Sequence, residues 1–179
     1  MKHFSFILLL FISTATLGQT NVSGVISTNS VWNQSGSPYH VTGSILIPSG
    51  VTLTINSGVD VIFNGNFKIL VQGRILALGS ATDSISLKPN INVPTWGGIR
   101  FDNTPSTNDT SKIIYCVLKS AKAPGGTEID GGALYLNNYH KLQVSSSTFY
   151  NCKADNSYDH PSLGGKGGAV AVLKSTIKI

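Results

Sequence analysis

From Val41 onward the chain alternates apolar and polar residues in short runs at 44–47, 51–55, 59–63, 67–71, 75–78 and 84–88. Turn formers separate them: Pro48-Ser49-Gly50, Asn56-Ser57-Gly58, Asn64-Gly65-Asn66 and Gln72-Gly73-Arg74. A period of two predicts β-strands, with Val51, Leu53 and Ile55 on one face and Thr52 and Thr54 on the other; Val59, Val61 and Phe63 repeat the pattern. Strands this short bury little as isolated hairpins and need neighbours on both sides. Beyond the first residues strong helix formers are scarce, while β-branched and small polar residues dominate, so an all-β chain is expected.

A repeat in the second half narrows the architecture. Gly97-Gly98-Ile99-Arg100-Phe101-Asp102, Gly131-Gly132-Ala133-Leu134-Tyr135-Leu136 and Gly167-Gly168-Ala169-Val170-Ala171-Val172 share one template at spacings of 34 and 36 residues. Between them, 117–123 aligns with 148–154 at an offset of 31. Units too small to own a core must stack, which is the signature of a solenoid. The paired glycines suit corners where stacked backbones approach closely. Strands in successive units are expected to pair in parallel, with Gly97, Gly131 and Gly167 at equivalent corners.

The first residues change the picture of where the chain works. Met1-Lys2-His3 precedes an apolar run at 4–12 and the small residues of 13–18, the pattern of a secretory signal peptide with Gln19 starting the mature chain. The run is about half the length a membrane-spanning helix needs, and nothing comparable follows, so no transmembrane segment is expected in the mature chain. Residues 19–40, with Trp32 and Tyr39, are expected to cap a solenoid at 41–179. Residues 174–179 continue an alternating strand with no closing cap, so the solenoid is expected to be cut short and to continue in a longer reading frame.

Without the leader, twelve basic residues face eight acidic ones, a net charge of +4 with histidines neutral. The lysines form no cluster along the chain, which argues against a nucleic-acid partner. Cys116 and Cys152 are too few for a disulfide framework or a zinc site. The 31-residue offset sets Cys116 against Ser147 and Cys152 against Ala121, so two free thiols are expected.

At these residues the chain resembles secreted bacterial right-handed parallel β-helix proteins. Residues 131–172 are similar to the polymorphic outer-membrane protein repeat, which combines Gly-Gly-Ala or Gly-Gly-Ile with Phe-x-x-Asn. Gly131-Gly132-Ala133 and Gly167-Gly168-Ala169 match the first part, and Phe149-Tyr150-Asn151-Cys152 has cysteine in place of the final asparagine. The resemblance implies a β-helix fold and a secreted or cell-surface setting.

β-Helix folds also host polysaccharide lyases and hydrolases, which need converging carboxylates or a base with a cation. The acidic residues here lie mostly in or beside turns, and no catalytic set or metal site is legible. The excursion Asp155-Asn156-Ser157-Tyr158-Asp159-His160 could offer oxygen ligands to calcium or a His-Asp pair, but it matches no ligand spacing and suits a solvated loop. Arg100 and Asp102 alternate with Ile99 and Phe101, so their side of the strand is expected outside. Carried over the glycine alignment, the same register puts Leu134, Leu136, Val170 and Val172 outside as well, a surface to be covered by the chain's own excursions or by a partner.

The candidate binding residues are Arg100, Asp102, Tyr139, Tyr158 and His160, the two tyrosines as rings that could stack on sugars, with Gly97, Gly98, Gly131, Gly132, Gly167 and Gly168 structural. The functional expectation is a non-catalytic extracellular stalk or adhesin-like module with a polysaccharide or cell-surface partner. The alternatives are the N-terminal portion of a β-helix polysaccharide lyase or glycoside hydrolase, and a carbohydrate-binding module.

Overall fold

A computed structural model of the chain describes residues 18–155, 165 and 167–179. The strands are β1 (Thr20–Val25), β2 (Ser30–Trp32), β3 (Tyr39–Ile47), β4 (Thr52–Asn56), β5 (Asp60–Phe63), β6 (Ile69–Val71), β7 (Arg74–Leu78), β8 (Ile85–Pro89), β9 (Ile99–Phe101), β10 (Ser111–Ile114), β11 (Cys116–Lys119), β12 (Leu134–Asn137), β13 (Leu142–Ser145), β14 (Thr148–Tyr150), β15 (Val170–Leu173) and β16 (Ile177–Lys178). One short 3₁₀ turn, Gln34–Gly36, is the helical element among the described residues. The runs expected from alternation reappear as β3 to β8. The largest difference is β3, which begins at Tyr39 because it carries the first residues of two strand columns at once.

Strands pair in parallel in two curled sheets, one of ten strands and one of six, within which three columns run. One column is β2-β4-β7-β10-β13-β16. The other two diverge from β3: its residues 39–41 pair with β5, leading to β8, β11 and β14, while 45–47 pair with β6, leading to β9, β12 and β15. β1 lies against β3 as well. Pass lengths differ: β4 to β7 is an offset of 22 residues, as Thr52 opposite Arg74 shows, whereas β7 to β10 is 36, as Leu76 opposite Lys112 shows. The longer passes carry their surplus in excursions between strands.

Inward positions are the apolar half of each alternation. Leu53, Ile55, Ile75 and Ile113 line one column, Val61, Phe63, Leu87 and Leu118 the second, and Ile69, Ile99, Phe101 and Leu134 the third, all fully buried. Three stacked aromatic pairs pack in the core: Trp32 on Tyr39 at 4.8 Å, Phe63 on Trp96 at 4.1 Å and Phe101 on Tyr139 at 5.0 Å between ring centroids. Trp96 also donates from Nε1 to the Lys119 carbonyl at 2.8 Å, which removes the cost of burying its ring nitrogen.

The corners repeat too. Asn103, Asn138 and Lys174 follow β9, β12 and β15, each with φ near +50°; Tyr115 and Ser146 follow β10 and β13, and Ser120 and Asn151 follow β11 and β14, in the same conformation. One left-handed residue after a strand swings the chain into the next column, and asparagine tolerates that conformation best among non-glycine residues.

Two expectations about the glycine template need correction. Aligning Gly97 with Gly131 sets Ile99 against Ala133, but Ile99 pairs with Leu134, Arg100 with Tyr135 and Phe101 with Leu136, one residue later. Gly131 and Gly167 remain equivalent, since Leu134 pairs with Val170. The glycine that adopts positive φ differs: it is the second of the first pair, Gly98 (φ 73°), and the first of the other two, Gly131 (59°) and Gly167 (63°). Gly98 leads directly into its strand, while two residues separate Gly131 from β12. A one-residue slip exchanges faces. Leu134 and Leu136 are accordingly interior and fully buried, and Tyr135 takes the outward place beside Arg100; Val170 and Val172 align in register with Leu134 and Leu136, but Val170 is half-buried and Val172 is exposed, as expected for it.

Candidate functional site

Arg100 does point away from the sheet interior, yet it is only 1% exposed. The excursion between β11 and β12 folds over it. Within that excursion Gly125 and Glu128 form a tight antiparallel bridge, and Glu128 reaches back to the residue just before β6, its Oε2 at 2.7 Å from Lys68 Nζ. Beneath it Arg100 donates from Nε to the Gly97 carbonyl at 3.1 Å and from Nη1 to the Asp130 carbonyl, and its guanidinium carbon lies 5.4 Å from the centre of the Tyr135 ring. Nη2 is buried without a hydrogen-bond partner. Burial pulls the Arg100 pKa down to about 10, against the opposing pull of Glu128, Tyr135 and Asp130. The surface that sequence reasoning left open to a loop or a partner is thus taken by the chain's own loop.

Asp102 is half-buried at the edge of this cluster and accepts from Asn137 Nδ2 at 3.0 Å. Tyr139, expected as a binding residue, is a core residue 1% exposed, its ring flat against Phe101 and its hydroxyl 3.4 Å from Ser111 Oγ. It is buried because the turn after β12 swings it under the third column. Tyr158 and His160 lie outside the described residues. Asp155, the first residue of the excursion proposed for calcium, is buried and holds Lys122 Nζ at 2.8 Å. Among the described residues no three of His, Cys, Asp and Glu converge as a metal site would require. The structural glycines have clear reasons: a Cβ on Gly98 would strike the Gly132 and Ala133 carbonyl oxygens, and one on Gly132 the Lys153 and Gly168 carbonyls of neighbouring passes.

The remaining carboxylates serve to link passes. Asp60 pairs with Lys88 at 3.3 Å, Asp109 with Arg74 at 3.6 Å, and Asp83 accepts from Gln34 Nε2 at 2.6 Å. With Glu128–Lys68, Asp155–Lys122 and Asp102–Asn137, six of the acidic side chains reach a partner at least 28 residues away. Each of these six carboxylates is tied sideways to its own partner in another pass, and no two of them share one.

Sequence reasoning missed a second feature, on the outer face of the column β2-β4-β7-β10-β13-β16. Lys112, Gln143 and Lys178 stand opposite one another on β10, β13 and β16. With Thr110, His140, Lys141 and Leu142 they line an open hollow of about 370 Å³. Lys141 Nζ donates to the Asn108 carbonyl at 3.0 Å, and His140 Nδ1 lies 3.0 Å from Thr176 Oγ1. Among the described residues none of the three lysines makes an ion pair, and the outward positions of these strands carry no carboxylate. The lysines look scattered in sequence because they are 29 and 37 residues apart. Extending the 31-residue offset to Lys112 would have set it beside Gln143.

The fold is of the all-β class, with parallel strands in curled sheets and almost no helix. No helix among the described residues is long and apolar enough to cross a membrane. No protein-family model matches the chain and no solved structure matches it. Among curated proteins, a stretch of 56 residues, 31% of this chain, is 38% identical to the protein bark beetle of Drosophila melanogaster; the match spans 2% of that protein's length.

Proposed function

We propose that the chain is a right-handed parallel β-helix of the secreted bacterial type, serving as a non-catalytic extracellular or cell-surface module of the stalk or adhesin kind. The observation that carries this reading is the use of carboxylates as lateral ties between passes, each bound to a cation or amide of another pass rather than to a second carboxylate. A stalk needs such ties, because a stack of passes with separate small interfaces gains stiffness from links along its length. Three strands per pass with left-handed corner residues in register support the β-helix, the glycine template supports the likeness to outer-membrane repeats, and the apolar leader at 4–12 supports export.

The test is incubation of the full chain with neutral and uronic-acid polysaccharides, with and without calcium. The expected result is unchanged chain length for every polymer. Release of reducing ends or of unsaturated sugars overturns the non-catalytic reading in favour of a lyase or hydrolase.

A further inference from the structure

We propose that the outer face of β10, β13 and β16 is a binding trough for a linear acidic polysaccharide, one carrying carboxylate or sulfate groups. This inference rests on the extracellular reading above and goes beyond it by naming a surface and the chemistry of its partner.

Charge placement is the first ground. Six of the described acidic side chains are occupied by cations and amides of other passes, while Lys112, Lys141 and Lys178, none of them in an ion pair, come together at one hollow. Parallel strands lie about 4.8 Å apart, which sets Lys112 and Lys178 roughly 10 Å from each other with Gln143 between them. Cations repeated along the stacking axis match anionic groups repeated along a polymer better than they match a single small anion.

The neutral lining is the second ground. Thr110, His140 and Gln143 set hydrogen-bonding groups among the cations, as a hydroxyl-bearing polymer requires and a plane of lipid headgroups does not. No Phe, Tyr or Trp lines the hollow, whereas single-stranded nucleic acid is held on large aromatic platforms on which successive bases stack. The geometry is a shallow open channel on a rigid sheet, suited to a chain lying across several passes.

Binding is measured for the full chain with dextran sulfate and polyuronate as probes, against unsulfated dextran and methyl-esterified polyuronate as uncharged counterparts, and against a single-stranded oligonucleotide. The trough variant is K112Q/K141Q/K178Q. The control K119Q/K153Q/K174Q removes the same charge from exposed lysines elsewhere. We expect both charged glycans to bind and their uncharged counterparts not to. The trough variant is expected to lose at least tenfold in affinity and the control less than twofold. Affinity is expected to fall roughly twentyfold to fortyfold between about 50 and 200 mM salt, as release of counter-ions from three contacts predicts. Equal loss in the two variants, equal binding of the uncharged glycans, or preference for the oligonucleotide overturns the proposal. Glycan cleavage without any effect of the trough variant refutes both readings, while absence of binding and of cleavage refutes the trough alone.

Discussion

Leu134 is where the observed register and the glycine-template register make opposite predictions. The template sets Leu134 outside, where truncation to alanine costs a few tenths of a kcal/mol, within the ±0.5 range of surface changes. In the structure its side chain is fully buried on β12, between Ile99 of the preceding pass and Val170 of the following one. Leu134→Ala removes three carbon atoms, about 2.4 kcal/mol of transfer at 0.8 per methylene, and leaves a cavity that raises the total toward 3–4 kcal/mol. Val170 is half-buried, so its side of the cavity is free to close, which holds the expected cost near 3 kcal/mol. Tyr135→Ala, one residue on, loses an outward ring and its cation–π contact with Arg100, about 1 kcal/mol. Guanidinium unfolding followed through the fluorescence of the buried Trp32 and Trp96, the latter stacked on Phe63 of the second column, reports both variants. In thermal terms Leu134→Ala should lower the midpoint by roughly 6–12 °C for a chain of this size. A Leu134→Ala chain within about 0.5 kcal/mol of the parent, or a Tyr135→Ala chain equally unstable, would refute the one-residue shift.

Burial pushes the Cys116 thiol up to about 12, so below pH 9 both folded and unfolded chains hold the proton, and between about 9 and 12 only the folded chain does; stability should fall with rising pH across that window. Urea midpoints at pH 7, 9 and 10.5 should show the slope reduced in Cys116→Ala, and native Cys116 should resist alkylation at pH 8 while both thiols react after denaturation. Gly98→Ala should destabilise by more than about 3 kcal/mol, because its Cβ meets fixed backbone oxygens; Gly126→Ala, also at positive φ but in open space, should cost only about 1, and denaturant midpoints will compare them. Glu128→Gln should cost under about 1 kcal/mol, since the Lys68 pair is about a third exposed, yet speed protease cleavage at 124–127 several-fold by freeing the excursion over Arg100. Intact-mass kinetics of limited digestion read that out.

How far the sequence reaches differs along the chain. The alternation of Leu53, Ile55, Val61 and Phe63 with threonine and other outward residues identifies both the strands and their buried face, because a period of two has one physical meaning in a half-buried strand. The 31-residue offset places Cys116 opposite Ser147 and Cys152 opposite Ala121, as the pairing of β11 with β14 and the bridge of Lys122 to Lys153 bear out, and both thiols are free. Local alternation and constant spacing are properties a chain carries in its own order of residues. Which glycine of a pair turns into the left-handed region is decided by the pass packed against it, so the register of Leu134 and the burial of Tyr139 emerge only on stacking. The fate of Arg100 depends on where an excursion lands after thirty residues of intervening chain, held by Glu128 reaching Lys68 across 60 positions. The lysines of the trough converge for the same reason. Side chains far apart in sequence become neighbours when passes of unequal length, 22, 36 and 31 residues, are brought into parallel pairing; the 31-residue offset contains the step from Lys112 to Gln143, but not the further step to Lys178 or the place of Lys141.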